Sequence, residues 1–449
     1  MVRCLLVNPQ MPFNAPIEDS WIKLGLAGLS ACLKQHHHEV YLIDFRMTSG
    51  WDEVVARVKI IDPEIVYISA FTSESRDAIK VAEVIKQYDR KIPVVVGGIH
   101  ASIMPEDYTR TGLFDFIIRG EGEITVPKIA DSISEYYKSY IHPVVEWGET
   151  PQLDLLPFAD RELWSDYHER IQHPPPWLKS KPWVDVLMWR GCNSNCRFCS
   201  GPGEKNHFTR DRNGTRVPYI RGCSVQNVIE ELLELDRKYH YKSIHFDDDQ
   251  FIMNIPWTWK FLEALKENGL DNKEWWAGTR ADILLRNKDL ILEMQRCGCS
   301  IISVGFESFS DPLLQFWNKG TTVRQNFEAA DFLNEHGIKI FSNTIFGAPR
   351  SDGKWHIEDD RANIEAIKKI KPAWVSWSSF TAVPGSDLYQ WCIDNNFTVA
   401  ENPGFRDCRG DTIKGISHRK IRMMIDEIPD CRRNWKHRWY DKLMMTIGK

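Results

Sequence analysis

No run of apolar residues in this 449-residue chain approaches the roughly 20 that a membrane-crossing helix requires. A basic surplus is missing too. Lys and Arg number 57 against 62 Asp and Glu, giving a net charge of −5, so the electrostatic footprint of a nucleic-acid binder is absent. The opening MVRCLLVNPQ has neither the apolar core nor the small-residue cleavage site of a secretory signal, and the expected address is the cytoplasm. There is no internal repeat and no low-complexity tract. Cysteine is present, but not as a disulfide framework: eleven is an odd number, and in a reducing compartment thiols stay free or bind metal. Eight of them (Cys4, Cys32, Cys223, Cys297, Cys299, Cys392, Cys408 and Cys431) lack ligand spacing and read as small buried hydrophobes. The 18 tryptophans suggest large apolar pockets or interfaces.

What the chain does have is alternation. RCLLVNP reads as a buried strand and WIKLGLAGLSACLKQ as a helix, and EVYLID, EIVYISA, PVVVGG and FDFIIRG follow as strands with helices between them. That pattern implies βαβ units and a parallel sheet, whose ligands sit beyond the carboxyl ends of the strands. Those ends carry Asn8, Asp44-Phe45-Arg46, Ser69-Ala70-Phe71-Thr72, Gly97-Gly98 and Gly120-Glu121-Gly122-Glu123. Small and polar residues gather where a cofactor would lie. Proline and aromatics then break the pattern, as in HPPPW, and read as a linker. Six further strands follow (VDVLMW, SIHFDD, WWAGTR, IISVGF, KIFSNTIFG, WVSWSSFTAV), which suggests a partial or complete barrel with its chemistry at the C-terminal strand ends. The expected division is 1–135, a linker over 136–180, a barrel over 181–395 and a helical C-terminal region over 396–449.

Directly after the first barrel strand, WRGCNSNCRFCS places Cys192, Cys196 and Cys199 within eight positions. Three thiolates on a tight loop can hold three irons of a cubane cluster and leave the fourth iron open. Zinc is the rival, with His207 or Cys223 as a fourth ligand. The loop placement and the intervening Phe198 favour iron–sulfur.

This C-x3-C-x2-C at the end of a first barrel strand is similar to the signature of radical S-adenosylmethionine (SAM) enzymes. The resemblance implies a [4Fe-4S] cluster whose unique iron is chelated by SAM and which cleaves SAM to a 5′-deoxyadenosyl radical. It also implies SAM contacts from Phe198, from Asp247 or Asp248 in SIHFDDDQF, and from Arg280 in GTRADIL. Glu307 in SVGFES, Asn343 and Phe346 in NTIFGAPRSD, and the backbone near Val383 in FTAVPGSDLY complete that set.

The N-terminal half resembles the subgroup of this family that carries a cobalamin-binding domain, through VNPQMP, LGLAGLSACLK, VVVGGIHASIMPED and RGEGE. The fold implied is α/β: a Rossmann-like cobalamin-binding domain, a partial (β/α)6 barrel and a short helical tail. Asn8, Arg46, Ser69, Phe71, Thr72, Gly97, Gly98, His100, Gly120 and Glu121 are then the cobalamin contacts. Many cobalamin proteins place a cobalt-ligating histidine in Asp-x-His-x-x-Gly, whereas Arg46 stands at that position here. A guanidinium has no lone pair to donate. Cobalamin without a protein nitrogen on cobalt is therefore expected, with Arg46 a catalytic residue that favours methyl loss. The alternative is that Arg46 pairs with a nearby carboxylate.

The resemblance implies methylation of an unactivated sp3 carbon through methylcobalamin and the 5′-deoxyadenosyl radical, with an external one-electron reductant and an organic substrate. A peptide or protein side chain, such as a glutamine of methyl-coenzyme M reductase, is one substrate; a small natural product or a lipid is another. A cyclase or rearrangement enzyme using the same cofactors is the alternative reaction. A methylthiotransferase would need a second three-cysteine cluster, which Cys4 and Cys32 cannot supply.

Overall fold

The computed structural model describes residues 1–10, 12–15, 17, 21–133, 143–207, 217–397 and 416–429. Its first layer is a sheet of six parallel strands: β1 (Arg3–Asn8), β2 (Glu39–Asp44), β3 (Ile65–Ser69), β4 (Val94–Gly97), β5 (Phe116–Arg119) and β6 (Val144–Trp147). They lie in the order β2-β1-β3-β4-β5-β6. The order reverses between β1 and β3, so the chain leaves a crevice at the carboxyl ends there. Cys4 to Asn8 are all buried, the continuous apolar run expected of a strand covered by helices on both faces. β6 falls inside the stretch expected as a linker and adds an edge strand to this sheet.

The second sheet is wound differently. β7 (Trp183–Val186), β10 (Ser243–Phe246), β11 (Glu274–Thr279), β12 (Cys299–Glu307), β13 (Lys339–Phe346) and β14 (Trp374–Ser379) are parallel, and each lies beside the next in sequence. Winding in one direction without reversal curls a sheet into a barrel, and β7 and β14 do not pair, so it stays a half-barrel. The six strands match the expected ones, with one division: VDVLMW splits into β7 and β8 (Trp189–Arg190). β8 pairs antiparallel with β9 (Arg221–Gly222). This small hairpin ties together the two ends of the segment that carries the three cysteines.

Helices cover the strands with one apolar face each. Val225–Tyr239 starts at Ser224, whose hydroxyl accepts the Asn227 N–H, and buries Val228, Ile229, Leu232 and Leu235 at helical spacing. A single core cluster runs from Cys4 and Leu6 of the first sheet and Leu26 of the helix Leu24–Gln35 through Trp164 and Tyr167 to Val184 and Ile244 of the second sheet, so the two sheets share one interior. Of the C-terminal helical region, His418–Ile425 packs Ile421 and Met424 against β13 and β14; most of that expected region, with Cys408 and Cys431, lies outside the described residues.

Candidate functional site

The carboxyl ends of both sheets meet at a cavity of about 500 Å³. From the first sheet it is lined by Arg46, Ser69, Phe71, Gly98, Gly120 and Glu121, and from the second by Asp247 and Asp249. Leu187, Trp189, Arg190 and Gly191, which lead into the cysteine loop, form another wall. A second cavity, about 350 Å³, runs between β3, β4 and β5 and the helix Leu24–Gln35, and shares Ser69, Gly98, Gly120 and Glu121 with the first. Gly98 has φ +94°, and a Cβ there would lie 2.7 Å from the Ala70 carbonyl oxygen; only glycine fits that close approach. A flat macrocycle with a long tail matches a glycine-floored cavity continuous with an apolar channel, so these residues fit a corrin.

Arg46 is both paired and on the cavity wall. Its Nε donates to Asp44 Oδ1 at 3.0 Å and its Nη2 to Asp44 Oδ2 at 2.6 Å. Asp44 also accepts from Asn8 Nδ2 at 3.0 Å and from Trp164 Nε1 at 2.9 Å. Burial works to raise the Asp44 carboxyl, but these donors hold it below the usual range. Arg46 thus pairs with a carboxylate, as the alternative has it, while the residue also lines the cavity. Asn8 is fully buried and holds Asp44. His100 is also turned inward, with Nδ1 3.3 Å from Thr72 Oγ1 and Nε2 3.2 Å from Asp107. Thr72 is thereby occupied in packing, and neither it nor His100 lines the two cavities. Gly97 lines the channel.

The cysteine loop is fastened from several sides. Arg197 N–H donates to the Trp317 carbonyl at 2.8 Å, and the Arg197 carbonyl accepts from Leu388 N–H at 2.9 Å. Phe198 stacks edge-on with Trp317, centroids 5.2 Å apart. Arg280 Nη1 donates to Ser194 Oγ at 3.0 Å and reaches Cys196 Sγ at 3.4 Å. Burial raises the Cys196 thiol, while Lys319 and Arg280 act against that. Cys196 is buried, Cys192 half-buried and Cys199 exposed, and among the described residues no three His, Cys, Asp or Glu side chains are arranged to hold a metal ion. Three soft thiol donors on one loop, with two cations beside them to offset thiolate charge, fit an iron–sulfur cluster by the chemistry of the donor set. Of the two residues that could complete a zinc site, Cys223 directly follows β9 and is half-buried. The His207 side chain lies outside the described residues.

Of the paired carboxylates, Asp247 and Asp248 part company. Asp247 lines the large cavity. Asp248 is buried, and its Oδ1 accepts from Met188 N–H at 2.9 Å and Trp189 N–H at 2.6 Å, so it holds the turn between β7 and β8. Burial pushes its carboxyl well above the usual range. Arg280 is committed to the cysteine loop and to Asp282, 2.9 Å away. Glu307 ends β12 at φ +62°, an unfavourable conformation for a non-glycine residue, and pairs with Lys319 at 3.1 Å. Asn343 donates to Ser303 Oγ at 2.8 Å inside the half-barrel. Phe346, expected at SAM, is fully buried in a core with Ile364, Val375 and Met424 instead, because its strand position faces the covering helices. The Val383 carbonyl closes a turn with Ser386 at 3.0 Å.

Several residues escaped the sequence reading. Lys23 lines the large cavity, pairs with Glu74, and has an ammonium that burial lowers. Asp249, the third acid of the run after β10, also lines the large cavity. Lys319 gave no sequence signal at all. Glu123 and Arg190 were visible only as parts of RGEGE and WRGC.

The chain is similar to known proteins over both halves. Residues 12–130 match the B12 binding domain and residues 186–359 the Radical SAM superfamily. The chain is 30% identical over 397 residues to an uncharacterized methyltransferase of Pyrococcus horikoshii, covering 84% of this chain and 80% of that one. It is 25% identical over 412 residues to an anaerobic magnesium-protoporphyrin IX monomethyl ester cyclase of Rubrivivax gelatinosus, covering 87% and 70%. In fold it resembles the radical SAM methyltransferase TsrM of Kitasatospora setae, solved with tryptophan substrate and a SAM analogue: TM-score 0.68 at 16% identity, over 96% and 90% of the two chains. No helix among the described residues is long and apolar enough to cross a membrane.

Proposed function

Because the chain belongs to the radical SAM enzymes that carry a cobalamin-binding domain, the cobalamin-dependent radical SAM methyltransferases, we propose that it methylates an unactivated sp3 carbon of an organic substrate. The observation that carries this reading is one cavity walled by the strand ends of both sheets and by the segment leading into the cysteine loop. When bound, cobalamin supplies a transferable methyl group, and the cluster with SAM supplies a one-electron route to a carbon radical.

The chain's own residues divide the remaining work. Cys192, Cys196 and Cys199 would hold the cluster, with Arg280 and Lys319 offsetting its negative charge. Asp247 and Asp249 face the cavity as acceptors for an ammonium group such as the SAM amine. Glu307, at the end of β12, and Asn343, within the adjacent β13, offer polar contacts to the rest of SAM. Arg46, fixed by Asp44, presents a permanent cation with no lone pair, so it cannot ligate cobalt. Trp21, Trp189 and Tyr219 close the cavity with apolar surface and limit water. An external one-electron reductant is required, and a cytoplasmic setting would provide one.

The substrate is an organic molecule that enters this cavity. A peptide or protein side chain, such as the methyl-coenzyme M reductase glutamine, remains one candidate class beside small natural products and lipids. A trideuteromethyl-labelled SAM, offered with members of each class to the reconstituted protein, tests this: the true substrate gains one labelled methyl, detected by mass spectrometry. A cyclase of this family is named among the relatives, so a second reading without methyl transfer stands beside the first. Substrate that changes in mass without gaining label would overturn methyl transfer and support that second reading.

A further inference from the structure

We propose that Glu121 and Glu123 are a pair of hydrogen-bond acceptors that selects a corrinoid with primary carboxamide arms over one with free-acid arms. This rests on the reading that the first sheet binds cobalamin. The two glutamates follow β5 and are gripped by the β8–β9 hairpin. Arg190 Nη1 donates to Glu121 Oε1 at 2.8 Å and Arg190 Nη2 to Glu123 Oε1 at 2.7 Å. Arg221 Nη2, on the partner strand of the hairpin, also donates to Glu121 Oε1, at 2.5 Å. All three donors thus converge on the Oε1 atoms. The Oε2 atoms of both residues are buried, and among the described residues nothing donates to them.

Glu121 lines both the large cavity and the channel, and Glu123 lines the channel. Burial works to raise the Glu123 carboxyl, but Arg190 holds it below the usual range, so it is ionised and can only accept. A buried charged acceptor without a donor is costly, and in native proteins such atoms call for a partner. The periphery of a corrin is ringed by carboxamides, each with two N–H donors. A carboxylate on the same arm has no proton to give at neutral pH and adds like charge. The pair is therefore placed to read the state of one or two corrin arms, independently of anything that happens at cobalt.

The test is equilibrium binding, read by quenching of the tryptophans beside the cavity, on full-length protein stripped of corrinoid. The probes are cobalamin, its individual monocarboxylic acid derivatives, and a derivative carrying an N,N-dimethyl amide at the same arm, which is neutral but has no N–H. The acid and the dimethyl amide at the arm that meets the pair should both bind about tenfold or more weaker than cobalamin. Changes at other arms should cost less. In Glu123→Gln, which supplies an N–H of its own, the gap between the amide and the acid should narrow. If that variant does not fold, the wild-type series decides alone. Cobalamin binding with no preference at any arm would overturn the selection, whereas no binding of cobalamin at all would overturn the underlying reading with it.

Discussion

At the scale of single residues, Asp44 is a buried charge held by several donors at once. Asp44 ties together Arg46, Asn8 and Trp164 at the mouth of the large cavity. Replacing Arg46 with Met would leave that carboxylate buried and uncompensated, a loss of about 3–5 kcal/mol. Thermal denaturation should show a large drop in Tm, partly restored by adding Asp44→Asn. Asp185 behaves in the opposite sense. Burial raises its carboxyl from the ordinary 3.8 to about 6, despite Arg161 nearby. A carboxyl raised by folding contributes stability that is complete below its unfolded pKa and is lost as pH rises through 6. Asp185→Asn should therefore gain on the wild type between pH 4 and pH 7, by about 3 kcal/mol at most. A Tm difference that does not change with pH would contradict this. The cysteines were legible from spacing alone, because thiols that close together have few structural uses. Asp247 and Asp248 were not separable, since both sit at one strand end and only the course of the following turn decides which one faces the cavity. The burial of Phe346 is hidden for a related reason: motif position does not say which face of the sheet a strand residue takes.

Among elements, a tight constraint lies just after the cysteine loop. The helix Gly201–His207 packs on the turn after β14 so closely that a Cβ on Gly203 would lie 2.1 Å from the Gly385 carbonyl oxygen. Backbone cannot retreat as a side chain can, so Gly203→Ala should push the cysteine loop off its seat. Iron per chain after anaerobic reconstitution should fall sharply in that variant. Gly201→Ala is the control: its Cβ would meet nothing closer than Cys199 Sγ at 3.6 Å, an ordinary contact, and iron loading should be kept. Equal loss in both variants would count against the packing argument. Most strands were readable because buried parallel strands are unbroken apolar runs. β6 was not, being four residues long, at an edge, and set in a proline- and aromatic-rich stretch. The break between β7 and β8 was hidden as well, because the two backbone N–H groups that make the turn are satisfied by Asp248, 60 residues away for Met188.

Over the whole molecule, two sheets with different winding share one core and turn their carboxyl ends toward the same space. Each sheet's fold class followed from its alternation of strand and helix, but their mutual placement did not, because it depends on pairs such as Arg190 with Glu121 that join distant parts of the chain. That placement is what makes the two-cofactor reading specific: methyl donor and radical source must both reach one substrate carbon. The most direct measurement uses anaerobically reconstituted protein with iron, sulfide, SAM and reductant, with and without cobalamin, and quantifies 5′-deoxyadenosine and S-adenosylhomocysteine together. Both products, with the second lost when cobalamin is omitted, are what a cobalamin-dependent methyltransferase gives. 5′-Deoxyadenosine alone, unchanged by cobalamin, would contradict methyl transfer as the function of this site.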